Sequence, residues 1–336
     1  MASVFTENNW QQLTPLPTPR AVTWALARQW PGQANAIYQV GGFRGTGTPT
    51  TAGYTADIER TPVNGDGTLG QPVVAGQIPV GARGNCGATI YNDRLYIITG
   101  DGPGAGVISW FCWGNIQGDG SISQMSFVQL PEQFAGSRLV VANGWIYIIG
   151  GTFAPANFGN GNIYSAPIYS DGSPGPFQVI STPLPTGNIG LGHSTVFEKG
   201  GYLYLAGGLN GFGGVFNASA GIWSARVQAN GQLDPWVSLG AMSTPRWRHG
   251  VVVVDDQIFW GGGNAGNPLA TVLSSVDTAY REGEGQLSKL RVLTNPLPAA
   301  LRNCRLMEVN GIIYSIGGAD GTNTALAAVN ALSVKW

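Results

Sequence analysis

Charge is scarce in this chain. Of its 336 residues only 10% are Asp, Glu, Lys or Arg, against about a quarter in ordinary globular domains. The formal net charge is −1 and no Lys/Arg cluster occurs, which excludes the basic field that nucleic-acid binding leans on. Histidine is almost absent, with only His193 and His249. The cysteines are three, Cys86, Cys112 and Cys304, an odd number without CxxC spacing, so a disulfide framework is not implied. Unbroken apolar runs are only a few residues long, far from the roughly 18 or more that suggest a membrane span. The opening MASVFTENNWQQL lacks a basic start and an apolar stretch, so no signal peptide is expected and membrane insertion is not. Localisation is left open.

What is abundant is glycine, 52 residues, beside 43% hydrophobic and 10% aromatic content. That combination implies an ordered chain with many tight turns, because a disordered one would have few aromatics.

A short apolar run ending in glycine recurs along the chain: IYQVGG at 37–42, LYIITG at 95–100, IYIIGG at 146–151, LYLAGG at 203–208, IFWGGG at 258–263 and IYSIGG at 313–318. Successive ends lie 58, 51, 57, 55 and 55 residues apart. A second apolar strand precedes each run, joined to it by turns such as Asn92-Asp93, Asn143-Gly144 and Asn310-Gly311, which suit two-residue hairpins with φ > 0. After the glycines come a loop, an alternating strand, a polar turn (Asp66-Gly67, Asp119-Gly120, Asp171-Gly172, Asn230-Gly231, Glu284-Gly285) and a fourth strand. Four antiparallel strands per repeat predict an all-β, six-bladed β-propeller spanning 1–336.

The two ends are complementary. Trp10, Leu13, Pro19 and Arg20 repeat the spacing of Trp236, Leu239, Pro245 and Arg246, so residues 8–16 read as a fourth strand lacking its first three. The repeat over 300–336 lacks a fourth strand. The N-terminal strand is therefore expected to complete the last blade, leaving no unmatched edge inside the ring.

Glycine pairs, downstream Trp and upstream Pro-Arg-x-x-His, best seen in Pro245-Arg246-Trp247-Arg248-His249, resemble the kelch repeat over the whole chain. Turns such as Asp66-Gly67-Thr68-Leu69 and Asn230-Gly231-Gln232-Leu233 are similar to those of kelch-like repeats in bacterial and phage proteins. The enzymes of that fold narrow quickly. Copper oxidases resembling galactose oxidase need more histidines and a Tyr-His sequence; iron-dependent specifier proteins need an acid–acid–His series; sialidase propellers need Ser-x-Asp-x-Gly-x-Thr-Trp boxes. All are missing here. A six-bladed kelch mutarotase acting on sialic acid is compatible, since it needs only channel arginines and a few polar groups. No P-loop or dinucleotide context appears; the glycines at 211–214 follow a strand with no helix behind it. No cofactor or metal is implied.

Aligning the repeats places Thr23, Cys86, Ser137, His193, His249 and Cys304 in one column near the start of each innermost strand, facing the channel. His and Cys there allow a metal or nucleophile–base site, or simply a polar lining. Arg20, Arg83 and Arg246 form a second column, with Arg138, Arg248, Arg302 and Arg305 close to its level. They could grip a carboxylate or phosphate, or tie neighbouring loops together. The long loops between second and third strands share one face and carry Tyr54, Trp110, Phe158 and Phe212, suited to a glycan or protein partner or to packing on one another.

The resulting expectation is a non-enzymatic binding module that recognises a glycan or protein partner through its long-loop face, with a virion tail or other surface assembly as its setting. The alternatives are a mutarotase-type enzyme at the arginine-lined mouth and a structural spacer.

Overall fold

In the computed structural model, residues 9–29, 35–103, 106–107, 109–130, 132–151, 161–186, 190–212, 215–266 and 271–334 are described. They form six antiparallel blade sheets in a propeller, with four two-stranded sheets beside them and no α-helix among the described residues. The innermost strands of blades 1 to 6 are Trp24–Arg28, Gly87–Tyr91, Arg138–Ala142, Thr195–Lys199, Gly250–Val254 and Arg305–Val309. Each hairpins into the glycine-ended second strand. Asn92-Asp93 takes φ of 47° and 57°, and Asn143-Gly144 takes 49° and 76°, the doubly left-handed turn that matches strand twist.

The ring closes through the chain's head. Trp10–Gln12 pairs antiparallel with Val329–Ser333, Trp10 opposite Leu332 and Gln12 opposite Asn330. Leu13 and Leu16 extend the contact by donating their N–H groups to Val329 and Ala327. Blade 5 departs from the pattern: its third strand, Val276–Gly283, runs on into a hairpin with Gln286–Leu287 before Arg291–Val292 supplies the outer strand.

The core lies between blades rather than within them. One cluster joins Tyr38, Val40 and Ile58 of blade 1 to Ala88, Leu95 and Ile97 of blade 2, and another joins Met307 and Tyr314 of blade 6 to Ala25 and Ile37 of blade 1. Such a seam demands close backbone approach, and this explains the glycine pairs. Gly41, Gly207, Gly262 and Gly317 sit at φ of 54–68°. A Cβ there would lie 2.5–2.6 Å from a carbonyl oxygen of the next blade, while the following glycine's N–H donates to that same oxygen at 2.7–2.9 Å. Only glycine satisfies both demands.

Tyrosine rivets form a second seam. Tyr38, Tyr96, Tyr147 and Tyr314, from the second strands of blades 1, 2, 3 and 6, donate their hydroxyls to Gly120, Gly172, Gly231 and Gly67 at 2.8–3.1 Å. Those acceptors belong to the polar turns of the next blades. The Asp66, Asp119 and Asp171 carboxylates shape the turns by accepting a hydroxyl and an N–H from the residue two on, and these bonds hold all three below the usual carboxylate range.

Candidate functional site

At the long-loop end of the channel, Val22, Asn85, Gly136, His193, Arg248 and Asn303 occupy equivalent rim positions, all left-handed with φ of 52–66°. Backbone hydrogen bonds run from blade to blade through them. Asn85 donates to Val22 at 3.1 Å, Gly136 to Asn85 at 3.0 Å, His193 to Gly136 at 2.9 Å, Arg248 to His193 at 3.0 Å and Asn303 to Arg248 at 2.9 Å. A left-handed non-glycine costs about 1 kcal/mol or more, so this belt holds stored strain at one end of the channel.

Two residues further on, each innermost strand begins, and this position holds Trp24, Gly87, Arg138, Thr195, Gly250 and Arg305. Beneath lies a cavity of about 480 Å³ walled by the innermost strands of all six blades. The guanidinium carbons of Arg305 and Arg138 lie 4.2 and 4.7 Å from the Trp24 ring centroid, and that of Arg248 lies 4.4 Å from Trp247. Both Trp24 arginines are buried.

None of these cations forms a close ion pair, although Asp101 acts through space on Arg248 and Asp320 on Arg302. Among the described residues, no carboxylate pairs within 4.0 Å of Arg138, Arg248, Arg302 or Arg305; the ion pairs belong to Arg20, Arg28, Arg44, Arg246 and Arg281. Arg305 gives its Nε to the Thr23 carbonyl at 3.2 Å. Arg138 gives its Nε to the Ser194 carbonyl and Nη1 to Ser137 at 3.1 Å, but its buried Nη2 has no partner, and nor do the Nε groups of Arg248 and Arg302. Burial lowers Arg305 and Arg248 to about 10, and repulsion from Arg302 and Arg305 adds to the effect on Arg248. Arg138 is held well below its ordinary value by burial and by Arg305 and Arg248. A bound anion would relieve this repulsion and satisfy the open donors.

Both histidines are kept neutral. Burial, then the guanidiniums around them, pull His193 and His249 well below the ordinary imidazole value. His249 Nε2 meets Thr195 Oγ1 at 3.0 Å. Across the mouth, Tyr54 donates its hydroxyl to Asp101 Oδ2 at 3.0 Å, and Asn85 Nδ2 donates to Asp101 Oδ1 at 2.9 Å. Tyr54 is raised by burial and then by Asp101, with Arg248 opposing.

The structure separates residues that sequence alignment had grouped. Ser194, not His193, matches His249; His193 sits one residue earlier, in register with Arg248, because blade 4 has no Pro-Arg pair to anchor the alignment. Cys86 and Cys304 do not face the channel but are buried in inter-blade cores, and Ser137 is buried with them at 1% exposure. Among the described residues no three His, Cys, Asp or Glu side chains gather around a metal-sized space.

Arg20 and Arg246 are not at the mouth. Arg20 pairs with Glu59 at 3.2 Å, and Arg246 with Asp277 at 2.6 Å, both arginines at 1% exposure or less. Arg83 is buried and donates to the Val80 carbonyl at 3.2 Å. Arg248 alone of those four belongs to the cationic group. Tyr54 reaches the rim through Asp101. Trp110 instead packs edge-on against Phe127, with centroids 5.5 Å apart. Phe158 and the side chain of Phe212 lie outside the described residues. Trp24 was missed, although it falls in register with Arg138 and Arg305, and that register was readable once the strand starts were fixed.

No family model matches the chain, and no curated protein matches it in sequence. A solved structure described as "Structure of YjhT" is similar, with a TM-score of 0.68 and 15% identity over 94% of this chain and 95% of that one. At that identity the likeness is one of fold, and it places the chain among the β-propellers.

Proposed function

We propose that this protein binds a small carboxylated sugar at the arginine mouth of its channel and interconverts that sugar's anomers, in the manner of the kelch-type mutarotases its repeats resemble. The observation that carries the reading is the group of buried guanidiniums without counter-ions around Trp24. A carboxylate accepts paired N–H donors from such groups, and an aromatic face beside them suits a sugar ring. Charge that no protein carboxylate pairs closely is what an anionic ligand would neutralise, with the surrounding low dielectric strengthening each contact.

The test combines calorimetric titration with N-acetylneuraminate and NMR exchange spectroscopy of its anomers. Binding, together with anomer exchange faster than in buffer, is the expected result, with both lost in Arg305→Met. Binding without exchange would instead favour a non-enzymatic module at the same mouth. No binding of any carboxylated sugar refutes the proposal. The reading through loop aromatics has less to support it, because Tyr54 is engaged with Asp101 and Trp110 with Phe127.

A further inference from the structure

The rim contains a hydrogen-bonded acid–base pair that cation binding does not account for. Asp101 begins the loop hairpin of blade 2, and Tyr54 comes from the loop of blade 1. Each Asp101 oxygen has one neutral donor, Tyr54 Oη at 3.0 Å and Asn85 Nδ2 at 2.9 Å. Among the described residues no cation pairs with this carboxylate within 4.0 Å. Asn85 and Arg248 hold equivalent rim positions on blades 2 and 5, which face each other across a six-bladed ring. The carboxylate is therefore attached to the blade facing that of Arg248, whose guanidinium reaches near enough for Asp101 to raise it. Tyr54 and Asp101 are half-buried rather than sealed, so a ligand can reach them.

We propose that Asp101 and Tyr54 are the proton-transfer pair for a sugar whose carboxylate is held by the channel arginines. The inference rests on reading the mouth as an anomer-exchange site. Ring opening needs one proton removed from the anomeric hydroxyl and one delivered to the ring oxygen. Asp101 takes the hydroxyl proton, and the O–H electron pair becomes the second bond of the new carbonyl. The bond between the anomeric carbon and the ring oxygen breaks, its electron pair stays on that oxygen, and the oxygen takes the Tyr54 proton. The proton on Asp101 then passes along the existing hydrogen bond to Tyr54, restoring both groups. Rotation of the open-chain carbonyl and the reverse sequence close the ring on its other face. Nothing is oxidised or reduced, and no co-reactant is consumed.

The histidines fit this role less well. His249 is fully buried against Thr195, and His193 is 5% exposed. Tyr54, by contrast, links directly to a carboxylate that can return its proton.

The experiment measures anomer exchange of N-acetylneuraminate by NMR and its affinity by calorimetry, for the wild type, Asp101→Asn and Tyr54→Phe. Asp101→Asn keeps an acceptor and the shape, so folding is monitored by melting temperature in both variants. The expected result is an exchange rate about 100-fold lower or more, affinity within about threefold of wild type, and little change in melting. Wild-type exchange in either variant overturns the assignment. So does a loss of affinity equal to the loss of rate, which would mark the pair as a loop clamp. Absence of exchange in the wild type fails at the earlier reading of the site, and the pair then has no reaction to serve.

Discussion

Replacing Arg305 by methionine should abolish ligand binding without weakening the fold. Arg305 and Arg138 both lie over Trp24, at 4.2 and 4.7 Å from its centroid, so their guanidinium carbons are no more than about 9 Å apart. At an effective dielectric of about 20, two like charges at that separation repel by about 2 kcal/mol. The substitution removes this repulsion and the cost of burying the cation. Against that it loses the hydrogen bond to Thr23, worth about 1 to 3 kcal/mol for a charged donor, and a stacking contribution of about 1 kcal/mol. The terms roughly cancel, and methionine retains much of the buried volume. Urea unfolding should therefore give a stability within about 1 kcal/mol of wild type, and a melting temperature within roughly 2–4 °C. Adding citrate, a small polycarboxylate, should raise wild-type melting and leave the variant unmoved, since only a native-state site gains from mass action. A loss of more than about 3 kcal/mol in the absence of ligand would show that Arg305 has a structural partner, and the reasoning from unpaired charge would be wrong.

Three further outcomes are expected. His193 and His249 are held below their unfolded values, so the unfolded chain takes up protons that the folded chain refuses as the pH falls through 6.5. Each therefore contributes a loss of stability of up to about 2 kcal/mol between pH 7 and pH 5, and denaturant titrations of His249→Asn should show a shallower acid decline than wild type. Tyr147→Phe removes the 3.1 Å rivet to Gly231 and leaves a buried carbonyl without its donor; a destabilisation of about 1–2 kcal/mol by urea midpoint is expected, and an unchanged midpoint would deny the rivet any role. Deleting residues 1–13 exposes the edge of Val329–Ser333, and light scattering should detect association through it.

The blade number, the strand order and the closing partner of the last blade were all readable from the sequence, because hairpin turns and glycine pairs are local and recur six times. The site was readable only in part. Rim strain, the register of Trp24 with Arg138 and Arg305, and the pairing of Tyr54 with Asp101 depend on side chains from blades up to 282 residues apart in sequence, as in the contact of Arg305 with Thr23. Arginine as a residue type was also ambiguous. Arg246 and Arg248 are two positions apart, yet one is locked to Asp277 and the other has no ion pair within 4.0 Å among the described residues. Only the partner, not the residue type, distinguishes a brace from a ligand grip.

The belt of peptide bonds around the mouth has an evolutionary consequence. Five of its six blade-to-blade joints are main-chain hydrogen bonds, so the aperture keeps its width whichever side chains decorate it. Valine, asparagine, glycine, histidine and arginine already share its six places. Chemical preference at the entrance can thus drift by substitution at those places, while the architecture that frames the opening stays fixed.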